Sequence, residues 1–170
     1  MTTTSRSKCR GQKYGYRSGL EEKIGLELKA LGIPVRYEEI KISYVKPAKS
    51  STYTPDFLFW KKAECPICAG LGEVTSEDGL IVVCDHCDGM GRDKLFVETK
   101  GRFVTADRLK HIEIKKQHPH LDIRFVFSNS RQRISKTSKT TYASWCEKHG
   151  FKYADKSVPK SWLEEVISAP

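Results

Sequence analysis

The apolar positions change period along the chain, and the changes mark its elements. Leu20, Ile24, Leu28 and Leu31 recur at spacings of three and four, which predicts one apolar helical face. Ser18 and Glu21 stand three apart at its start, the spacing of a capping box, and Gly32 with Pro34 stops it. From Val35 to Val45 the pattern is that of a strand, with a slip across Glu38-Glu39 that predicts a bulge or a turn. Residues 46–51 break the pattern and form either a loop or an extended bridge to another subunit. The next strand holds Tyr53, Asp56, Phe57, Leu58 and Phe59; Pro55 cannot donate a ladder hydrogen bond, so it begins at an edge or bulge just before Asp56. In Leu95 to Lys100 the alternation returns: Leu95, Val97 and Thr99 on one face, Phe96, Glu98 and Lys100 on the other. A helix capped by Thr105 runs through Leu109 and Ile112 to about His118, with His111 and His118 expected at its surface or half-buried. A strand over Leu121–Phe127 and a helix over Tyr142–His149 closed by Gly150 follow. A short strand around Tyr153 and a last helix opened by Pro159 and running through Trp162, Leu163 and Val166 complete the pattern.

The strand pattern is interrupted between residues 61 and 93. There C-x-x-C-x-G-x-G occurs twice, as Cys65-Pro66-Ile67-Cys68 and Cys84-Asp85-His86-Cys87 with glycines at matching offsets. Two such knuckles supply four thiolates for a tetrahedral Zn²⁺, and a segment this short needs a metal to hold it together. His86 is not needed to complete the shell. The repeat resembles half of the cysteine-rich module of DnaJ-type chaperones, a likeness of local zinc fold alone. The chain then divides into a flexible basic arm at 1–17, a main domain at 18–60 and 94–170, and an inserted zinc module at 61–93.

Charge narrows the partners. Thirty lysines and arginines against 21 acids leave a formal +9, which favours a polyanion, nucleic acid first. Arg6, Lys8, Arg10, Lys13 and Arg17 lie in an arm without acids; Arg131, Arg133, Lys136 and Lys139 lie in a second acid-free stretch rich in serine and threonine. With Lys46, Arg102 and Arg108 these are the candidate DNA contacts. Neither a secretory leader nor a run of membrane-spanning length is present, so a soluble cytoplasmic protein with reduced or metal-bound cysteines is expected, with no membrane partner.

The chemistry resides in Asp56 and in Glu98-x-Lys100. Two carboxylates on neighbouring strands with an ammonium beside them are the minimum for metal-assisted phosphodiester hydrolysis. Taken alone, Glu-x-Lys is more readily a surface ion pair on an edge strand. A restriction-type or transposase-associated nuclease, or a zinc-bearing DNA-binding module without catalysis, would carry several of the same features.

Four phrases occur in the order found in the phage endonuclease I family: Tyr16-Arg17-Ser18-Gly19-Leu20-Glu21, Tyr53-Thr54-Pro55-Asp56-Phe57, Val97-Glu98-Thr99-Lys100-Gly101 and Cys146-Glu147-Lys148-His149-Gly150. Outside the insert, residues 14 to 166 resemble that family of Holliday-junction-resolving enzymes, of the PD-(D/E)xK class. The resemblance implies a mixed α/β, restriction-endonuclease-like core; the zinc-ribbon-like insert is where the chain departs from the family's pattern. The same resemblance implies Glu21, Asp56, Glu98 and Lys100 as the catalytic set. Mg²⁺ or Mn²⁺ would be held by Asp56, Glu98, the Thr99 carbonyl and Glu21. It further implies branched double-stranded DNA as substrate, 5′-phosphate and 3′-hydroxyl products, and a setting inside an infected bacterium. The family's homodimer exchanges a bridge, here residues 44–54, so that Glu21 of one chain completes the site of the other.

Overall fold

The computed structural model describes residues 15–46 and 49–167. Helix α1 (Gly19–Ala30) is followed by strand β1 (Arg36–Tyr37), β2 (Ile42–Lys46), β3 (Lys49–Tyr53) and β4 (Phe57–Glu64). Then come β5 (Glu73–Thr75), β6 (Ile81–Val83), β7 (Arg92–Lys100), α2 (Thr105–Gln117), β8 (Asp122–Phe127), α3 (Tyr142–His149), β9 (Lys152–Asp155) and α4 (Lys160–Glu164). One five-stranded sheet has the order β1-β4-β7-β8-β9; the β2-β3 and β5-β6 hairpins stand apart from it. Strands β1, β4 and β7 pair antiparallel, while β7, β8 and β9 run parallel.

Helices cover both faces, so the alternating strands bury both sets of side chains. Phe57, Phe59, Leu95, Val97 and Val126 pack with Ile24 and Leu28 of α1 and Trp162 of α4. On the other face, Leu58, Trp60, Phe96, Phe125 and Phe127 pack with Phe103, with Ile114 of α2 and with Trp145 of α3. That second face carries Asp56, Glu98 and Lys100 at the end of its strands, by the parity of their positions.

The slip at Glu38-Glu39 is a break between β1 and β2. Glu38 takes a φ of 51°, and its amide donates to the Asp56 carbonyl at 3.0 Å. Two expectations shift. Helix α2 is capped one residue early, at Val104, with the Asp107 carboxylate accepting from the Val104 amide. Helix α4 ends at Glu164, and Val166 instead bridges to Lys61. No described helix is long and apolar enough to cross a membrane.

The cysteine module leaves the sheet where β4 and β7 run on past Trp60↔Lys94, through a register shift, to Glu64↔Arg92. Its root is ionic. Lys61 pairs with Asp93 at 2.9 Å and with Asp122 at 2.8 Å, and His86 meets Asp93 at 3.2 Å.

Candidate active site and metal centre

The β4–β7 register brings the acids together. Phe57 pairs with Val97 and Leu58 with Phe96, so Asp56, one step back, falls opposite Glu98. Asp56 Oδ2 accepts from the Thr99 amide at 2.8 Å and from the Thr99 hydroxyl at 2.9 Å; its Oδ1 has no partner among the described residues. Glu98 is 1 % exposed, and its Oε2 lies 2.7 Å from Lys100 Nζ.

Glu21 arrives from the opposite layer, at the first turn of α1. Ser18 Oγ donates to its Oε1 at 2.7 Å and the Arg17 amide to its Oε2 at 3.0 Å; the Tyr37 hydroxyl donates to the same Oε2. Tyr37 pairs with Phe57 across β1–β4, next to Asp56. Glu21 is therefore both a helix cap and a near neighbour, whose negative charge helps to raise the Asp56 pKa. All four expected residues gather at one end of the sheet within one chain.

Electrostatics separate the two facing carboxyls. Burial, then the charge of Glu98, pushes Asp56 up to about 7. Burial would raise Glu98 too, but the Lys100 charge and His111 hold it well below the usual carboxylate range. Burial would lower Lys100, yet Glu98 and Asp56 keep it above its ordinary value. One acid is thus anionic and the other close to its midpoint at neutral pH. Such a pair has room for one more positive charge, and the free Asp56 oxygen fits a divalent cation.

One residue here corrects the sequence reading. His111 is fully buried, not at the surface. Its Nδ1 donates to the Asp107 carbonyl at 2.8 Å, and its Nε2 lies 3.8 Å from Glu98 Oε1. The buried stripe of α2 runs through Arg108, His111 and Ile114, while Leu109 is 59 % exposed. Apolar periodicity therefore chose the wrong rotation of this helix. The usable signal was the spacing of three between Arg108, His111 and Ile114. Arg108 is corrected as well. Its guanidinium donates to the Phe103 carbonyl and, at 2.9 Å, to Thr105 Oγ1, so it is committed inside the fold.

Of the other basic residues, Arg6, Lys8, Arg10, Lys13 and the Lys46 side chain lie outside the described residues. Arg17 is exposed and pairs with Glu38 at 2.8 Å. Arg102, Arg131, Arg133, Lys136 and Lys139 are exposed. The loop that carries the last four starts beside the acids, because the Ser128 amide donates to the Lys100 carbonyl at 3.1 Å.

The second centre lies at the far end of β4 and β7, roughly 25–30 Å from Asp56 at strand rise. The sulfurs of Cys65, Cys68, Cys84 and Cys87 all lie within 4.8 Å of one another and are buried. Cys65 and Cys84 sulfurs are 3.8 Å apart, Cys68 and Cys87 sulfurs 3.7 Å. A tetrahedron of thiolates around one ion with bonds of about 2.3 Å has edges of about 3.8 Å. The Gly72 and Gly91 amides donate to Cys68 and Cys87 sulfurs at 3.2 and 3.3 Å. Both glycines have positive φ, and a Cβ on either would strike the carbonyl of the opposite knuckle.

A mixed sheet whose adjacent strands set an aspartate against Glu-x-Lys is the frame of a restriction-endonuclease-like nuclease. The "Phage endonuclease I" family model matches residues 1–78 and 87–169. Endonuclease I of Escherichia phage T7 is 42 % identical over 150 residues, covering 88 % of this chain and 79 % of that one. Endodeoxyribonuclease 1 of Enterobacteria phage T3 is 38 % identical over 154 residues, covering 91 % and 80 %. The chain belongs to the phage endonuclease I family and is an endonuclease.

Proposed function

We propose that this endonuclease cuts four-way junctions and other branched DNA by divalent-metal-dependent hydrolysis, leaving a 5′-phosphate and a 3′-hydroxyl. The observation that carries the reading is Asp56 set across from Glu98 with Lys100 Nζ at 2.7 Å from the Glu98 carboxylate. Asp56 and Glu98, with the Thr99 carbonyl and Glu21, would hold Mg²⁺ or Mn²⁺. When bound, that metal supplies charge neutralisation on the phosphate and an acidified water. Thr99 fixes Asp56 through two hydrogen bonds to Oδ2, so that Oδ1 would be the oxygen to hold the ion. Lys100, kept protonated by two carboxylates, orients the attacking water and stabilises charge on the phosphate. Arg131, Arg133, Lys136 and Lys139 take the flanking phosphates.

Cys65, Cys68, Cys84 and Cys87 would hold a structural Zn²⁺: their sulfur separations suit it, and four thiolates would leave no open position. Residues 18–60 and 94–170 then act as the nuclease unit and 61–93 as an insert.

Two cuts in a junction call for two sites, and we assign them to a homodimer that exchanges the β2–β3 bridge. Within one chain, β2 and β3 pair from Ile42↔Tyr53 to Lys46↔Lys49. Separating β2 from β3 lets the same pairs form between two chains. Everything before residue 47, Glu21 included, then joins the Asp56, Glu98 and Lys100 of the partner.

Cleavage of a mobile four-way junction against linear duplex, in Mg²⁺ and in Ca²⁺, tests the activity. Junction-selective nicking in Mg²⁺ alone is expected; equal cutting of linear duplex would defeat the substrate assignment. Mixing Glu21→Ala with Asp56→Ala protein tests the exchange. An exchanged heterodimer has one intact site and nicks, whereas without exchange no site is whole and nothing is cut.

A further inference from the structure

Two side chains from two other elements converge on Glu98, and neither belongs to the proposed catalytic set. Tyr53 closes β3, His111 lies in the middle of α2, and both are buried, as is Glu98. The Tyr53 hydroxyl, His111 Nε2 and both Glu98 oxygens have no completed hydrogen bond among the described residues; Glu98 has its ion pair with Lys100 and the longer approach of His111. Groups of this kind are normally satisfied in a folded chain, and a shared cluster of them points to a site rather than to a core. The rings are held tightly. Tyr53 and His111 meet edge to face with centroids 5.3 Å apart, His111 meets Phe125 at 4.8 Å, and Lys110 Nζ lies 5.0 Å from the Tyr53 ring. The Asp107 carbonyl accepts from His111 Nδ1, which aims Nε2 at Glu98 Oε1, 3.8 Å away; a ring that also carries a proton on Nε2 donates it to that carboxylate. The Tyr53 hydroxyl faces the same carboxylate closely enough for the Glu98 charge to raise the phenol pKa, after burial.

We infer that Tyr53 and His111 are positioning residues that clamp the Glu98 carboxylate from its buried side. They set which oxygen is offered to the metal and which to Lys100. The inference rests on the assignment of Glu98 as a metal ligand. It does not depend on bridge exchange, because Tyr53 lies in β3, after the point of exchange, and stays with Glu98 and His111 of its own chain in either arrangement. Outer partners of a ligating carboxylate fix its orientation, and their loss weakens metal binding about 10- to 100-fold.

The test is calorimetric titration of Mn²⁺ into the zinc-loaded full chain, with thermal melting and metal-free junction binding on the same samples. Tyr53→Phe removes one oxygen and keeps the ring. It is expected to weaken Mn²⁺ binding about tenfold, with melting temperature and metal-free junction affinity unchanged. His111→Leu should show the same loss, and His111→Gln, which can still donate to Glu98, should recover part of it. If Tyr53→Phe binds Mn²⁺ as the wild type does, or if the glutamine and leucine variants are equally weak, the clamp is overturned. Wild-type protein that binds Mn²⁺ but cuts no junction would overturn the proposed function and leave this comparison decisive.

Discussion

Asn in place of Asp56 should make the metal-free protein more stable while abolishing cleavage. Asp56 is 8 % exposed and faces Glu98, and its carboxyl is raised from 3.8 to about 7, by burial first and by Glu98 second. A raised folded-state pKa means that the fold holds this proton more tightly than the unfolded chain does. The associated stability is complete below about pH 4 and is lost as the pH climbs to about 7, at about 1.4 kcal/mol per pH unit, for a ceiling of roughly 4 kcal/mol. Asparagine is neutral throughout, and its carbonyl can still accept from the Thr99 amide and hydroxyl. Asp56→Asn should therefore match the wild type near pH 4 and exceed it by roughly 2–4 kcal/mol at pH 8, or about 5–15 °C in melting temperature. Urea unfolding at pH 4, 6 and 8 would measure this, without added Mg²⁺ and without a chelator that would strip the cysteine module. Saturating Mn²⁺ should shrink the gap by stabilising the wild type alone. A variant no more stable than wild type at pH 8, or an advantage that does not grow from pH 4 to pH 8, would refute the picture of two facing buried carboxyls.

Lys100→Ala should lower the single-turnover cleavage rate by about 10²–10³ or more while junction binding in Ca²⁺ survives; full cleavage would remove Lys100 from the site. Gly91→Ala places a methyl group against the Gly70 carbonyl at a φ of 65°, so zinc content measured by atomic absorption should fall well below one ion per chain. Replacing Arg131, Arg133, Lys136 and Lys139 together by alanine should flatten the slope of log Kd against log salt for junction binding by up to about three to four. An unchanged slope would place the phosphate path elsewhere.

Residues near in sequence already settled much of this molecule. Both cysteine knuckles, the helix opened by Ser18 and the αL turn at Gly150 rest on spacings of a few residues, and the backbone obeys such spacings wherever they occur. The four family phrases likewise marked Glu21, Asp56, Glu98 and Lys100 in advance. Tertiary structure decided what depends on rotation and register. Asp56 meets Glu98 only because β4 pairs with β7 across a 27-residue excursion from Cys65 to Gly91 that adds no register information. The rotation of α2 was illegible because its buried stripe carries an arginine and a histidine, while its leucine faces solvent. Polar side chains are buried when the fold supplies their partners, here the Phe103 and Asp107 carbonyls and Glu98, and those partners lie partly on a strand that periodicity along the helix cannot see.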